Sequence, residues 1–371
     1  MRGKDGKIYR KRTLKRGEIY EVLVEGKWKS TGQQSLDRAM TWAKKYIAEG
    51  NFKQILLKDF AENFFCEESD AMKKQAMRGR VRSKGWYAQS QARLQRYILP
   101  YFGDFYLHEI TPQVIDLWLL DLKSPDGKEL SSATKNKAMN CLKQILQEAQ
   151  AKGHIDTHPM VSLQAFVEKN KERKIFDDDE LDRFFPMNEA RLVSIWGGLL
   201  WTCYFLVLRD TGLRMGEQAV LTWDDLFFEN GQHGFFVTKS QDWFTKAVKM
   251  STKTGYHRAT LITPRTYRLL MLLKKEHPWD LIFALDGKRG IIAETARKHL
   301  KFAAKNAGVD LAGRTPYCFR HTANTNLLLR ADPQQVRFLM GHRTEKETIN
   351  YNHPDRRLLA KKAAAIKLGK I

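Results

Sequence analysis

Residues 211–217 read TGLRMGE, and only Arg209 and Asp210 separate them from LVSIWGGLLWTCYFLVL at 192–208. That apolar run lies at the short limit of what could cross a bilayer. It reads instead as a buried helix, because a membrane span ending there would set Arg214 beside lipid. Glu217 lies one helical turn beyond Arg214, the spacing at which a carboxylate can fix the orientation of a guanidinium. The fold is thus read outward from a core helix that delivers a charged pair. Downstream come four more short polar stretches: Lys253 in STKTG, Arg320 in PYCFRHT, His342 in LMGHRT and Tyr351 in TINYNHP.

Two arginines, a lysine, a histidine and a late tyrosine are the parts needed to attack a phosphodiester without a metal. The balance of charge agrees. In 371 residues, 64 Lys and Arg stand against 42 Asp and Glu, a formal charge of +22 and a pI near 9.7. That is the electrostatic footprint of a phosphate-binding protein, with nucleic acid the natural partner. The four cysteines, Cys66, Cys141, Cys203 and Cys318, have no paired spacing, so neither a disulfide framework nor a zinc site is expected and a reducing cytosol fits. No apolar stretch follows the basic N-terminus as a secretory signal requires.

Taken together and in this order, the stretches around Arg214, Lys253, Arg320, His342 and Tyr351 resemble the catalytic domain of the tyrosine recombinases, the integrases of phages and mobile elements. LPYFGDFYLHEIT at 99–111, SSATKN at 131–136 and THP at 157–159 are similar to that family's helical core-binding domain. The first fifty residues resemble its small arm-site binding domain. The expected fold is multidomain and mainly α. Residues 1–51 are expected to form a small three-stranded β-sheet plus helix that binds arm sites, 52–168 an all-helical, SAM-like core-binding domain, and 169–356 a mostly α catalytic domain with a small β-sheet. Residues 357–371 form a tail which, by the resemblance, packs on a neighbouring protomer, or else frays as a basic DNA contact.

The pattern along the chain supports that division. From Ile8 to Ser30 three strand-like pieces are broken at KRGE and EGK, and a helix starts after Ser35, a suitable N-cap, with Leu36, Ala39, Met40 and Ala43 on one face. Arg10, Lys11 and Arg12 are its candidate DNA contacts. Gly50 and Asn51 mark a linker, and EKNKERK at 168–174 a second. LLKDFAENFF, Tyr87–Ile98, VIDLWLLDL and NKAMNCLKQILQEAQAKG carry apolar residues at helical intervals. MRGRVRSKGW, with Arg78, Arg80, Arg82 and Lys84, suits a segment that tracks phosphates or enters a minor groove, or a solvated loop. The catalytic sheet is expected around FFVTK, AVKMSTKTG and HRATLIT.

Attack on a phosphodiester adds negative charge to an anionic centre, and arginine's planar, permanently charged fork fits the phosphate oxygens. The resemblance assigns Arg214 and Arg320 to the scissile phosphate, Tyr351 as nucleophile, Lys253 as the acid that protonates the leaving 5'-oxygen, and His342 as a phosphate hydrogen-bond donor. Lys246 and Lys249 compete for the acid role and His353 for that of His342. The chain departs from the family three residues before Arg320, where histidine is usual and Tyr317 stands. A phenol is a poor base near neutral pH. The adjacent His321 is less suited to replace it, since neighbouring helix positions face apart.

What the resemblance implies is a cytoplasmic site-specific recombinase. It would act through a covalent 3'-phosphotyrosine to integrate or excise a phage or mobile element, as a homotetramer on double-stranded core and arm sites. DNA-bending and excision proteins would assist, with no cofactor, metal or membrane. The alternatives are a type IB topoisomerase, which nicks and reseals with similar residues, and a catalytically weak DNA-binding derivative of an integrase, which Tyr317 makes conceivable.

Overall fold

The computed structural model describes residues 2–4, 7–14, 17–24, 27–48, 55–168, 174–250, 257–277, 279–342 and 344. Both linker centres, Gly50–Asn51 and 169–173, lie outside the described residues, as do Lys253, Tyr351, His353 and the 357–371 tail. The chain divides into two compact units, Met1–Lys169 and Asn170–Ile371.

The first unit opens with antiparallel strands Ile8–Leu14, Gly17–Val24 and Lys27–Ser30, paired in that order. Strand alternation decides the faces. Tyr9 pairs with Val22 and Lys11 with Tyr20, and Tyr9, Tyr20, Val22 and Val24 pack on Ala39 and Ala43 of the helix Leu36–Ala48. Ser35 does cap that helix, its Oγ accepting from the Arg38 N–H at 3.3 Å. Arg10 and Arg12 fall on the other face of the sheet, where both reach Glu21. Lys11 points to the helix side and pairs with Glu18. The three basic residues therefore do not form one surface.

The remainder of this unit is helical. Its members are Leu57–Ala61, Asp70–Met77, Lys84–Arg93 continued through one π-turn at Leu94–Ile98 into Leu99–Phe102, Pro112–Asp121 and Ser132–Ala151. Four of them start at hydroxyl caps, Ser69, Ser83, Thr111 and Ser131, each of which satisfies an orphan N–H of the first turn. Trp118, Phe102, Phe65, Leu142 and Ile145 lie in their common core. The helix Asp70–Met77 was not foreseen. It is short and carries two buried side chains, Ala71 and Met72, so its apolar period is faint.

In the second unit the run 192–208 is not one helix. It folds as Glu189–Trp196 and Leu199–Thr211, bent by 96° at Gly197–Gly198, both of which have positive φ. A glycine pair supplies the backbone freedom for such a corner. Among the described residues no single helix is long and apolar enough to cross a membrane. Every residue from Thr202 to Leu208 is buried, as expected for a helix apolar all round. Trp196 stacks on Phe205 at 4.2 Å beside Phe184, Phe185 and Phe319. The helices Asp178–Phe184, Met215–Gln218, Pro264–Glu276, Ala293–Ala307, Tyr317–Leu327 and Pro333–Met340 also belong to the unit.

The sheet differs from expectation. Its three strands are Leu226–Glu229, Gln232–Val237 and Arg258–Ile262, all antiparallel. The first hairpin turns at Asn230–Gly231, both with positive φ, the dipeptide that two-residue hairpins prefer. Val248–Lys249 does not join this sheet. It pairs with Ser240–Gln241 in a separate ribbon. Asp242 holds the turn between them, accepting from the Phe244 and Thr245 N–H groups at 2.9 Å each.

Candidate active site

The helix Leu199–Thr211 ends where the first functional word begins. The Thr211 hydroxyl donates to Val207 O at 2.6 Å and accepts from the Leu213 N–H at 3.2 Å, tying off the last turn. Gly212 takes φ +58, and a Cβ there would meet Met340 Cε at 2.9 Å and Ala323 Cβ at 3.0 Å. Only glycine lets the chain turn in this space and present its carbonyl inward. Arg214 then stands at the N-cap of the short helix Met215–Gln218.

Three arginines converge on the end of another helix. Arg258 Nε donates to Leu339 O at 3.0 Å, Arg320 Nη2 to Met340 O at 2.7 Å, and Arg214 Nη2 to Gly341 O at 3.1 Å. These three successive carbonyls terminate Pro333–Met340. The last carbonyls of a helix lack intrahelical donors and carry the negative end of its dipole, so cations are the natural partners. Arg320 Nη1 also donates to Gly212 O at 2.6 Å, joining the two glycine turns through one guanidinium. Gly341, at φ +62, leaves no room for a side chain: a Cβ would stand 2.8 Å from Arg258 Nη1. His342 follows at once, buried, with its N–H on Arg337 O at 3.1 Å.

Glu217 anchors the group from below. Its carboxylate accepts from Arg258 Nη2 at 2.6 Å and Nη1 at 3.3 Å, from Arg214 Nη1 at 2.9 Å and from the Arg214 N–H at 3.0 Å. It is 1 % exposed. Burial alone would push its pKa up, but Arg258, Arg214 and Arg320 outweigh burial and hold it at about 2. Two guanidiniums, those of Arg214 and Arg258, thus share this one carboxylate, and Arg320 stands near enough to add to the field on it. The surplus is positive and fixed, as an anionic substrate requires.

Sequence reasoning named Arg214, Glu217, Arg320 and His342, and the fold gathers them here. It missed Arg258, the largest electrostatic partner of Glu217. The signal was present: in RATLI the residues Arg258, Thr260 and Ile262 share the buried face, so strand alternation points a cation inward and demands a carboxylate.

Tyr317 begins the helix that carries Arg320 and is 39 % exposed. Its ring meets the His321 ring edge-on at 4.9 Å. The i, i+4 relation thus puts His321 with Tyr317 while Arg320 turns to the glycine turns. Lys249 Nζ is bound to Asp242 at 2.5 Å, and Lys246 donates to Trp243 O, so both lysines of the ribbon hold its turn. Gly216 lets the ribbon approach Arg214's helix, since a Cβ there would meet Gln241 O at 2.8 Å. Among the described residues no cluster of three His, Cys, Asp or Glu is placed to hold a metal.

The sequence model of the phage integrase family matches residues 176–357, and that of the phage integrase SAM-like domain matches 56–167. The chain belongs to the phage integrase family. Its function is site-specific recombination of DNA, the activity of the tyrosine recombinases. The integrase fold is shared with solved structures of low identity. The Tn1549 transposon integrase in complex with a circular intermediate DNA is 19% identical, with TM-score 0.61 over 80% of this chain and 98% of that one. A lambda integrase tetramer bound to a Holliday junction is 15% identical, with TM-score 0.59 over 97% of both chains. The XerH recombinase on its palindromic difH substrate is 17% identical, with TM-score 0.57 over 87% of this integrase and 92% of XerH. A comparison with curated proteins yields no match.

Proposed function

We propose that this integrase cuts and rejoins double-stranded DNA through a 3'-phosphotyrosine on Tyr351, with Arg214 and Arg320 on the non-bridging oxygens of the scissile phosphate. The observation that carries the reading is the surplus of fixed guanidinium charge around Glu217 and the Pro333–Met340 helix end. Donors already held in place need no reorganisation as charge grows on the phosphate, and losing one costs about 3 to 4 kcal/mol of transition-state stabilisation.

In the first step the Tyr351 oxygen bonds to phosphorus and the bond from phosphorus to the 5'-oxygen breaks. The phenolic proton passes to His342 or to water, and Lys253 protonates the leaving 5'-oxygen. The pairing of Lys249 with Asp242 favours Lys253 over it as that acid. Because the new ester keeps the energy of the broken bond, another 5'-hydroxyl reverses the step and joins a different strand. In our reading the unit works as a homotetramer, as the lambda integrase was solved on a Holliday junction. Its tail packs on a neighbour, its helical part grips core sites, and residues 1–51 grip arm sites. Accessory bending and excision proteins would set direction, in the cytoplasm of the host of a phage or mobile element.

A recombination assay tests this. A plasmid carrying the repeats that flank the coding region, incubated with the protein, should yield recombinants whose junctions fall within those repeats. Relaxation of any supercoiled plasmid without recombinants would favour a topoisomerase instead.

A further inference from the structure

Between the helices Asp70–Met77 and Lys84–Arg93 runs a basic loop that differs from the basic strand of the first sheet. Arg10 and Arg12 are both held by Glu21, and Lys11 by Glu18. Arg78, Arg80, Arg82 and Lys84 are all exposed, and no carboxylate among the described residues pairs with any of them. Two apolar side chains stand among these cations in full solvent: Met77 is 87 % exposed and Val81 77 %. The loop is nonetheless anchored at both ends. The Arg78 and Arg80 N–H groups return to Gln75 O at 3.2 and 2.9 Å, with Gly79 at φ +78 between them. Ser83 caps the following helix, and Arg82 lies 4.9 Å above the Trp86 ring, which itself meets Phe65 of the core at 5.7 Å.

We propose that this loop is a minor-groove reading head, with Arg80 in the groove of A·T-rich duplex and Val81 and Met77 against its walls. The proposal rests on the DNA-binding part of the function above and specifies the groove. An irregular strand of chain is too slender to fill a major groove, about 12 Å wide, which takes a helix or a ribbon; the minor groove, about 6 Å wide, fits it. Narrow A·T minor grooves concentrate negative potential and draw in arginine. Apolar side chains beside the basic ones are the wedges that minor-groove proteins press against base steps. A loop that merely followed phosphates would leave Met77 and Val81 in water.

The groove can be identified without the cognate site. The full-length protein is titrated against poly(dA-dT), poly(dG-dC) and poly(dI-dC), because inosine lacks guanine's minor-groove amino group yet keeps its major-groove edge. The expected result is equal affinity for poly(dA-dT) and poly(dI-dC), about tenfold tighter than for poly(dG-dC). The double variant Arg80→Ala, Val81→Ser should bind all three alike, with its circular dichroism unchanged. If poly(dI-dC) follows poly(dG-dC), if all three bind wild type equally, or if the variant keeps the preference, the proposal is overturned. Failure to bind any of the three would overturn the DNA reading as well, whereas these affinities do not depend on whether Tyr351 forms an adduct.

Discussion

Arg258 sets Nη2 2.6 Å from Glu217 Oε2 and Nη1 3.3 Å from Oε1, a charged pair that is fully buried. Removing one partner of such a pair strands the other charge and costs about 3 to 5 kcal/mol, whereas replacing both by apolar groups can be close to neutral. Arg258→Met should therefore destabilise the protein strongly, and the double variant Arg258→Met, Glu217→Leu should recover part of the loss. Denaturant unfolding followed at the second unit's tryptophans reads this; additive losses would show that the pair is not coupled.

The same carboxylate predicts an acid limb. Its folded pKa of about 2 lies below the ordinary 4.5, so its contribution is complete above the unfolded value and is lost as pH falls from about 4.5 towards 2. A shift of that size corresponds to about 3 kcal/mol. Stability measured across this window should fall in wild type and be flatter in Glu217→Gln; parallel profiles would place the titration elsewhere.

Gly341 and Gly308 have almost the same φ, +62 and +65, but only Gly341 faces Arg258. Gly308→Ala should cost the backbone strain alone, about 1 kcal/mol. Gly341→Ala adds a collision with a guanidinium locked on Leu339 O and Glu217, and should cost about 2 kcal/mol more. Melting of the two variants side by side tests it, and equal costs would mean Arg258 yields freely.

Tyr317 is half exposed and meets His321 edge-on. Replacing it by histidine restores a base that titrates near neutrality. Tyr317→His should keep or raise the cleavage rate, with a steeper pH dependence near pH 6.5. A severe loss would assign the phenol a task of its own.

Much of the fold was legible because local signals agreed. KRGE and EGK break the first sheet where it turns, and Ser35 caps its helix. TGLR and GH each fall where a helix ends, and RHT lies within the helix Tyr317–Leu327, as its helix-like run suggests. What escaped depended on through-space pairing. Arg258 is hidden because the apolar alternation of RATLI marks a strand without showing that its buried face carries a cation. The strand Leu226–Glu229 was missed although Asn230–Gly231 marked its hairpin, and Val248–Lys249 was assigned to the wrong partner because Asp242 tightens a turn that no apolar pattern announces. Gly197–Gly198 broke a helix that hydropathy alone made continuous.

The central claim is that the Tyr351 oxygen takes a DNA 3'-phosphate. Duplex DNA from the region flanking the coding sequence, radiolabelled and incubated with the protein, is quenched in SDS, and the bound peptide is identified by mass spectrometry. The account predicts a protein-linked 3' end mapped to Tyr351, absent in Tyr351→Phe. An adduct that persists in Tyr351→Phe, or maps to another residue, would contradict it.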